Sequence, residues 1–147
     1  NIHINNRDGT NAEVTDRFLY NFNMLQENVR NRLVVENDDK LNCWSVKQLI
    51  TDFYPKTKIP ITFDYLHHKC HPDGWTEHQA IRFCCLTWGD IKPLFHYSES
   101  APGNNPRKHA DYAVEDFYTY DDLDYDVDME LKMKDKAIAK FLEGVSV

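Results

Sequence analysis

Apolar residues recur along this chain in two alternating rhythms. Five short runs read as strands: Ile2-His3-Ile4, Leu33-Val34-Val35-Glu36, and the stretches 59–65, 93–97 and 125–131. Between them the apolar positions fall at helical spacing. Over 10–32, Phe18, Leu19, Phe22, Leu25 and Val29 mark one helix running on to Leu33, with Thr15 or Asp16 as its cap. Ser45, with Gln48 three residues on, forms a capping box for a helix over 46–53, which Pro55 is expected to stop. Pro60 stands at the start of its strand, where a missing amide matters least. The Pro72-Asp73-Gly74 loop leads to a helix over 76–88, and the last strand leads to another over 134–142. Pro102, Gly103, Asn104, Asn105 and Pro106 make 98–108 a long loop, the kind that carries function in compact domains. Residues 111–126 are acidic and tyrosine-rich, with one helical turn expected around Val114 to Phe117.

Strand-then-helix units in series predict an α/β fold with a parallel sheet, here about five strands and four helices. Parallel barrels bring the C-terminal ends of different strands to one site. A complete (β/α)8 TIM barrel takes ~250 residues. The 147 residues therefore predict one domain, 1–147, that is an incomplete barrel of about five parallel strands. It reads as the C-terminal portion of a larger barrel or as a truncated one. There is no internal repeat.

Composition changes this picture little. Hydrophobic residues at 41% suffice for a core, and no apolar run approaches the ~20 residues of a membrane span. The first residues lack a secretory pattern. Cys43, Cys70, Cys84 and Cys85 do not form a disulfide framework, so an intracellular setting (cytoplasm, nucleoid or nucleus) is expected. His67-His68-Lys69-Cys70-His71 could pass for a zinc cluster, but no second cysteine pair stands at finger spacing. The net charge of -7 argues against nucleic-acid binding. Carboxylates gathered to hold divalent cations weaken that objection, since bound metal neutralises them.

The candidate chemistry lies at the strand ends. Asp64-x-x-His67 closes an apolar strand, where a carboxylate is expensive to bury unless paired or metal-bound; the plainer reading is a turn cap beside a solvated histidine in the loop above. Glu36 ends a second strand and could equally reach solvent. Period two puts Asp126, Asp128 and Glu130 on one face of the last strand, either lining a lumen or lying solvated. His96 sits between Phe95 and Tyr97 and could be a core histidine; three other strands end on ligand types, which moves it toward the site. His109 closes the long loop, with Asp111 placed to orient its ring or simply nearby in solvent. Arg107 and Lys108 could reach a phosphate. Mixed nitrogen and oxygen donors suit manganese, zinc or iron more than calcium, and two metals ~3.5–4 Å apart would suit phosphoryl transfer.

Several of these pieces resemble the UV-damage endonuclease family: Val34-Val35-Glu36-Asn37-Asp38-Asp39, Pro60-Ile61-Thr62-Phe63-Asp64-Tyr65-Leu66-His67-His68, His96-Tyr97-Ser98, His109-Ala110-Asp111 and the run from Asp128 to Lys136. The match runs in order from His3 to about Lys136. The resemblance implies a metal-dependent barrel nuclease, related to endonuclease IV, that cuts double-stranded DNA immediately 5′ to UV photoproducts. It implies two or three divalent ions, manganese expected. His3 and Glu36 would share one, with Glu36 bridging to a second completed by Asp64, His96 and Glu130; His67 and His109 would hold a third. Glu36, Asp64, His67, His109 and Glu130 are the residues expected to carry catalysis.

Two positions depart from the family pattern. Leu94 stands where a lysine two residues before the histidine is usual, and Lys92 lies on the same face but about 6–7 Å further back. The first barrel strands, with a further histidine ligand, have no counterpart, so a 147-residue polypeptide alone is expected to hold metal incompletely and cut little. Competing readings are an apurinic-site endonuclease, a metal-dependent sugar isomerase using Lys92, and an inactive barrel fragment that self-associates through open sheet edges.

Overall fold

The computed structural model describes residues 1–4, 8–103, 105–115 and 117–144. Short parallel strands alternate with helices along it. β1 (Val35–Glu36) pairs in parallel with β2 (Ile61–Thr62), and β3 (Leu94–Tyr97) pairs in parallel with β4 (Asp126–Met129). Two parallel bridges extend this order, Ile2 to Val35 and Asp64 to His96. The Glu36 amide donates to Ile2 O at 3.0 Å, the His96 amide to Phe63 O at 2.8 Å, and the Glu130 amide to Tyr97 O at 2.7 Å. Five segments thus lie side by side in sequence order, and each step is parallel.

The helices form where caps and packing agree. α1 (Asn11–Asn23) starts from Thr10, whose hydroxyl accepts from the Glu13 amide while Glu13 accepts from the Thr10 amide. Thr15 and Asp16, expected as caps, lie inside the helix; Thr15 is buried and Asp16 pairs with Lys56 at 2.7 Å. The expected single helix over 10–32 breaks after Asn23 and resumes as α2 (Glu27–Arg30). Asparagine is a poor helix former, and Met24, Leu25 and Val29 are exposed, so neither propensity nor packing carries the helix through.

α3 (Val46–Gln48) begins at the Ser45–Gln48 capping box as expected. Pro55 does not stop it. The backbone widens through a π-helical stretch, Leu49–Phe53, and Pro55 then sits in the first turn of α4 (Tyr54–Thr57), where an absent amide is harmless. The helix ends at Lys58, whose φ of 57° is left-handed. The strand expected over 59–65 is shorter: Asp64 leaves it to cap α5 (Tyr65–Cys70), so Tyr65 is helical. α6 (Glu77–Leu86) is capped by Thr76 and Gln79, and α7 (Asp135–Gly144) closes the chain's described part. The loop at 98–108 is present, its Asn104 lying outside the described residues. No helical turn forms among the described residues of 114–117; Asp116 lies outside them.

Trp44, Phe53, Phe63, Phe95, Leu49, Ile61 and Val35 are fully buried and form the core between the strands and helices α1, α3 and α6. β1 and β2 are buried throughout, as expected of strands covered on both faces. In β4, Asp126 and Asp128 are exposed while Val127 and Met129 pack inward, the alternation that period two predicts.

Candidate metal centre

The parallel order aligns the strand ends that carry the ionisable residues. Ligand atoms of Glu36, Asp64 and His96 all lie within 4.8 Å of one another, and so do those of His3, Glu36 and His67. Glu36 belongs to both groups. His96 Nδ1 is 3.2 Å from Glu36 Oε2 and 3.3 Å from Glu130 Oε1. His67 Nδ1 is 3.4 Å, and His3 Nε2 3.7 Å, from Glu36 Oε1. His3 also faces Asp38 at 3.5 Å, and the Asn1 side-chain amide donates to Glu36.

His67 is placed by α5 rather than by a loop. Asp64 Oδ1 accepts from the His67 amide at 2.7 Å, which fixes the first helical turn. Asp64 therefore does cap a turn, but only with one oxygen. Its Oδ2 is buried and has no hydrogen-bond partner among the described residues. A buried carboxylate oxygen left without a donor, in a residue grouped with Glu36 and His96, suits a cation. The mixed donor set suits a divalent transition metal.

Asn37 ties the two strand ends together, and sequence reasoning passed over it. Its side chain accepts from the Asp64 amide at 2.8 Å and donates to Asp64 O at 3.1 Å. Its carbonyl accepts from His67 Nδ1 at 2.9 Å. A carbonyl only accepts, so Nδ1 carries the proton and Nε2 is left to face a ligand. His109 is held likewise, with Nδ1 donating to Glu130 O at 3.1 Å. Asp111, expected to orient that ring, does not. His109 stands 6.3 Å from the His67 ring, centroid to centroid, at the rim of the cluster and outside both three-residue groups. Glu130 is half exposed.

Lys92 does not face the site. It pairs with Asp126 at 2.8 Å and Asp124 at 3.0 Å on the surface, away from the position that the sugar-isomerase reading needs. Leu94 is 44% exposed. Arg107 lies 3.6 Å from Asp39. Neither ligand group contains a cysteine, so the Cys70 stretch contributes only His67.

Electrostatics place protons where a metal would bind. Burial opposes ionisation of Glu36, but hydrogen bonds from His67 and His96 outweigh it and hold the carboxyl well below the usual range. For Asp64, burial dominates, and the charges of Glu36 and Glu130 help push it up to about 6 against the pull of His67. His67 is raised to about 9: burial works against its charge, but Glu36, Asp64 and the Asn37 carbonyl prevail. The hydrogen bond to Glu36 raises His96.

These shifts predict a pH signature. The stability that protonated His67 supplies is complete below its ordinary 6.5 and is lost as pH rises through about 9. Metal must displace the same protons, so divalent-metal affinity rises over that window. Thermal melts in chelator are expected to fall from pH 6.5 to 9, and melts with Mn2+ to fall less or to rise. Parallel curves in the two conditions would remove this cluster as the metal centre.

A family model described as UV-endonuclease UvdE matches residues 1–146. The chain is 28% identical to a UV DNA damage endonuclease of Bacillus anthracis (strain A0248) and 29% identical to one of Bacillus velezensis (strain DSM 23117 / BGSC 10A6 / LMG 26770 / FZB42), each match covering 99% of this chain and 48% of the relative. The crystal structure of SacUVDE superposes with a TM-score of 0.73 at 31% identity, covering 92% of this chain and 48% of that one. The chain thus spans about half the length of the relatives it matches.

Proposed function

The chain belongs to the UV-endonuclease UvdE family, and on that premise we propose that it carries the metal centre of a DNA repair endonuclease acting on UV-damaged duplex DNA, with incision immediately 5′ to the photoproduct. One observation carries the reading: Glu36 is shared by two groups of potential ligands, and one oxygen of the buried Asp64 has no hydrogen-bond partner among the described residues. The five parallel segments support a (β/α)8 barrel architecture, of which residues 1–147 form one domain, the C-terminal portion.

In this reading His3, Glu36, Asp64, His67, His96, His109 and Glu130 hold divalent ions, manganese being the metal the family resemblance favours. Such ions supply Lewis-acid polarisation of the phosphate and a lowered pKa for attacking water. The protein's part is placement. Glu36 concentrates negative charge between three imidazoles. The carbonyls of Asn37 and Glu130 orient His67 and His109 so that each presents Nε2. Asp64 is fixed by the Asn37 side chain before any ion arrives, which spares reorganisation. No helix among the described residues is long and apolar enough to cross a membrane.

The test is a fusion in which this chain replaces the matching half of the Bacillus anthracis relative. With Mn2+, the fusion is expected to nick irradiated supercoiled plasmid, to leave undamaged plasmid intact, and to lose activity with Glu36→Gln. The 147-residue polypeptide alone is expected to nick little. Cutting of plasmid with abasic sites but not of irradiated plasmid would favour the apurinic-site reading instead. A folded fusion that binds Mn2+ and cuts neither would overturn the assignment.

A further inference from the structure

The segment that follows β3 contains a buried acid that the metal centre does not use. Glu99 is only 2% exposed. Its carboxylate accepts from the Tyr97 hydroxyl at 2.8 Å, from the Val114 amide at 2.9 Å, and from the Glu115 amide at 3.2 Å. These partners are all neutral, and they all lie outside the cluster. Along a strand successive side chains face opposite ways. His96 faces the cluster, so Tyr97, the last residue of β3, faces the other side, and Glu99 is bonded to its hydroxyl there. Glu99 is therefore not a ligand.

What Glu99 grips is the loop that carries His109. Its main-chain carbonyl accepts from the Ala110 amide at 2.7 Å, one residue past His109. Its carboxylate holds Val114 and Glu115 further along the same loop. Both grips come from one residue anchored directly to the end of β3. On its other side the loop is tied to the segment after β4: Lys132 donates to Ala110 O at 3.0 Å and Met133 to Asp111 O at 3.2 Å. An antiparallel bridge between Ser100 and His109 completes the frame. Residues 110–115 contain no regular secondary structure and no buried side chain except Ala110. Tyr112 and Ala113 pack partly against the core, Lys140 lies over the Tyr112 ring, and Lys69 pairs with Glu115 at 2.8 Å, but the Val114 and Glu115 amides turn to Glu99. Two neighbouring amides converging on one carboxylate make an anion-binding turn, so a charged acceptor suits the site better than an amide would.

We propose that Glu99 is a positioning residue that sets the place of His109 at the rim of the cluster, an inference that rests on His109 belonging to the metal centre. Losing a partner that orients a metal ligand lowers affinity or activity by ~10–100-fold, and that is the size expected here.

The experiment uses the full 147-residue chain with Glu99→Gln, His109→Ala and the double variant. In the metal-free chain, Glu99→Gln is expected to shift the 15N signals of the His109 ring and to speed hydrogen exchange at Val114 and Glu115. Mn2+ affinity, read by electron paramagnetic resonance, is expected to fall ~10–100-fold. In the His109→Ala background the same substitution is expected to add nothing, since both act through one ligand. A folded Glu99→Gln variant with unmoved His109 signals overturns the proposal. So does a loss of Mn2+ affinity that is undiminished in the His109→Ala background. If Glu99→Gln moves the ring while His109→Ala leaves Mn2+ affinity intact, the positioning role stands and the assignment of His109 as a ligand falls. Should Glu99→Gln not fold, Tyr97→Phe removes a single donor and gives the same readings with smaller shifts.

Discussion

Glutamine in place of Glu36 is expected to lower Mn2+ affinity by more than the ~100-fold that marks the loss of a mere supporting partner. Glu36 is 2% exposed and lies within reach of His3, His67 and His96 at once. Glutamine keeps its shape and one acceptor but removes the charge. Two groups of potential ligands then lose their common member. A second consequence separates this from a packing defect. The Glu36 carboxylate is among the main causes raising His67 to about 9 and the leading cause raising His96. Both rings are therefore expected to titrate lower in the variant, by histidine NMR. Because they can shed their protons, the protein need not keep uncompensated buried charges, and loss of fold is not expected. Calorimetric titration with Mn2+ gives the affinity. Wild-type affinity in the folded variant, or histidines that titrate unchanged, would dismiss Glu36 as the hub.

Leucine in place of Asn37 is expected to destabilise the chain by roughly 2–6 kcal/mol, since two buried main-chain groups lose their partners at ~1–3 kcal/mol each. The Asn37 side chain satisfies both the amide and the carbonyl of Asp64, at 2.8 and 3.1 Å. β1 and β2 are only two residues long each, so this amide does the work of a further ladder pair beyond them. Leucine keeps the number and branching of the side-chain heavy atoms but can make neither bond. Urea unfolding in chelator isolates the effect from metal binding. A loss below about 1 kcal/mol, typical of an unremarkable site, would mean that water replaces the amide.

Strand ends were the legible part of this site. Glu36, Asp64, His96 and Glu130 each follow or interrupt an apolar run, and a parallel order brings such ends together. The capping box at Ser45 is equally local, because a hydroxyl and a Gln three residues apart need nothing else to find one another. Thr10 with Glu13 has the same form, but the apolar stripe begins only at Phe18, which makes Thr15 and Asp16 the expected caps. Pro55 fits inside the helical stretch because the π-helical widening that accommodates it is held by packing of Leu49 and Phe53 in the core, which no local pattern shows. Asn37 and Glu99 gave no local sign of their roles. Asn37 finds Asp64 27 residues away and Glu99 finds Val114 15 residues away, and each would be an ordinary loop residue without that partner.

Periodicity and caps act over three or four residues, and the chain's order of residues alone therefore determines its alternation of strands and helices and which ionisable groups stand at the ends. Hydrogen-bond partners, burial and proton affinity depend on atoms that meet only after the strands align. The tertiary structure decided that His67 joins Glu36 from the first turn of α5, that Lys92 stays on the surface, and that one Asp64 oxygen is buried without a hydrogen-bond partner among the described residues. Burial and long-range charge, which no window of sequence contains, are the physical reason.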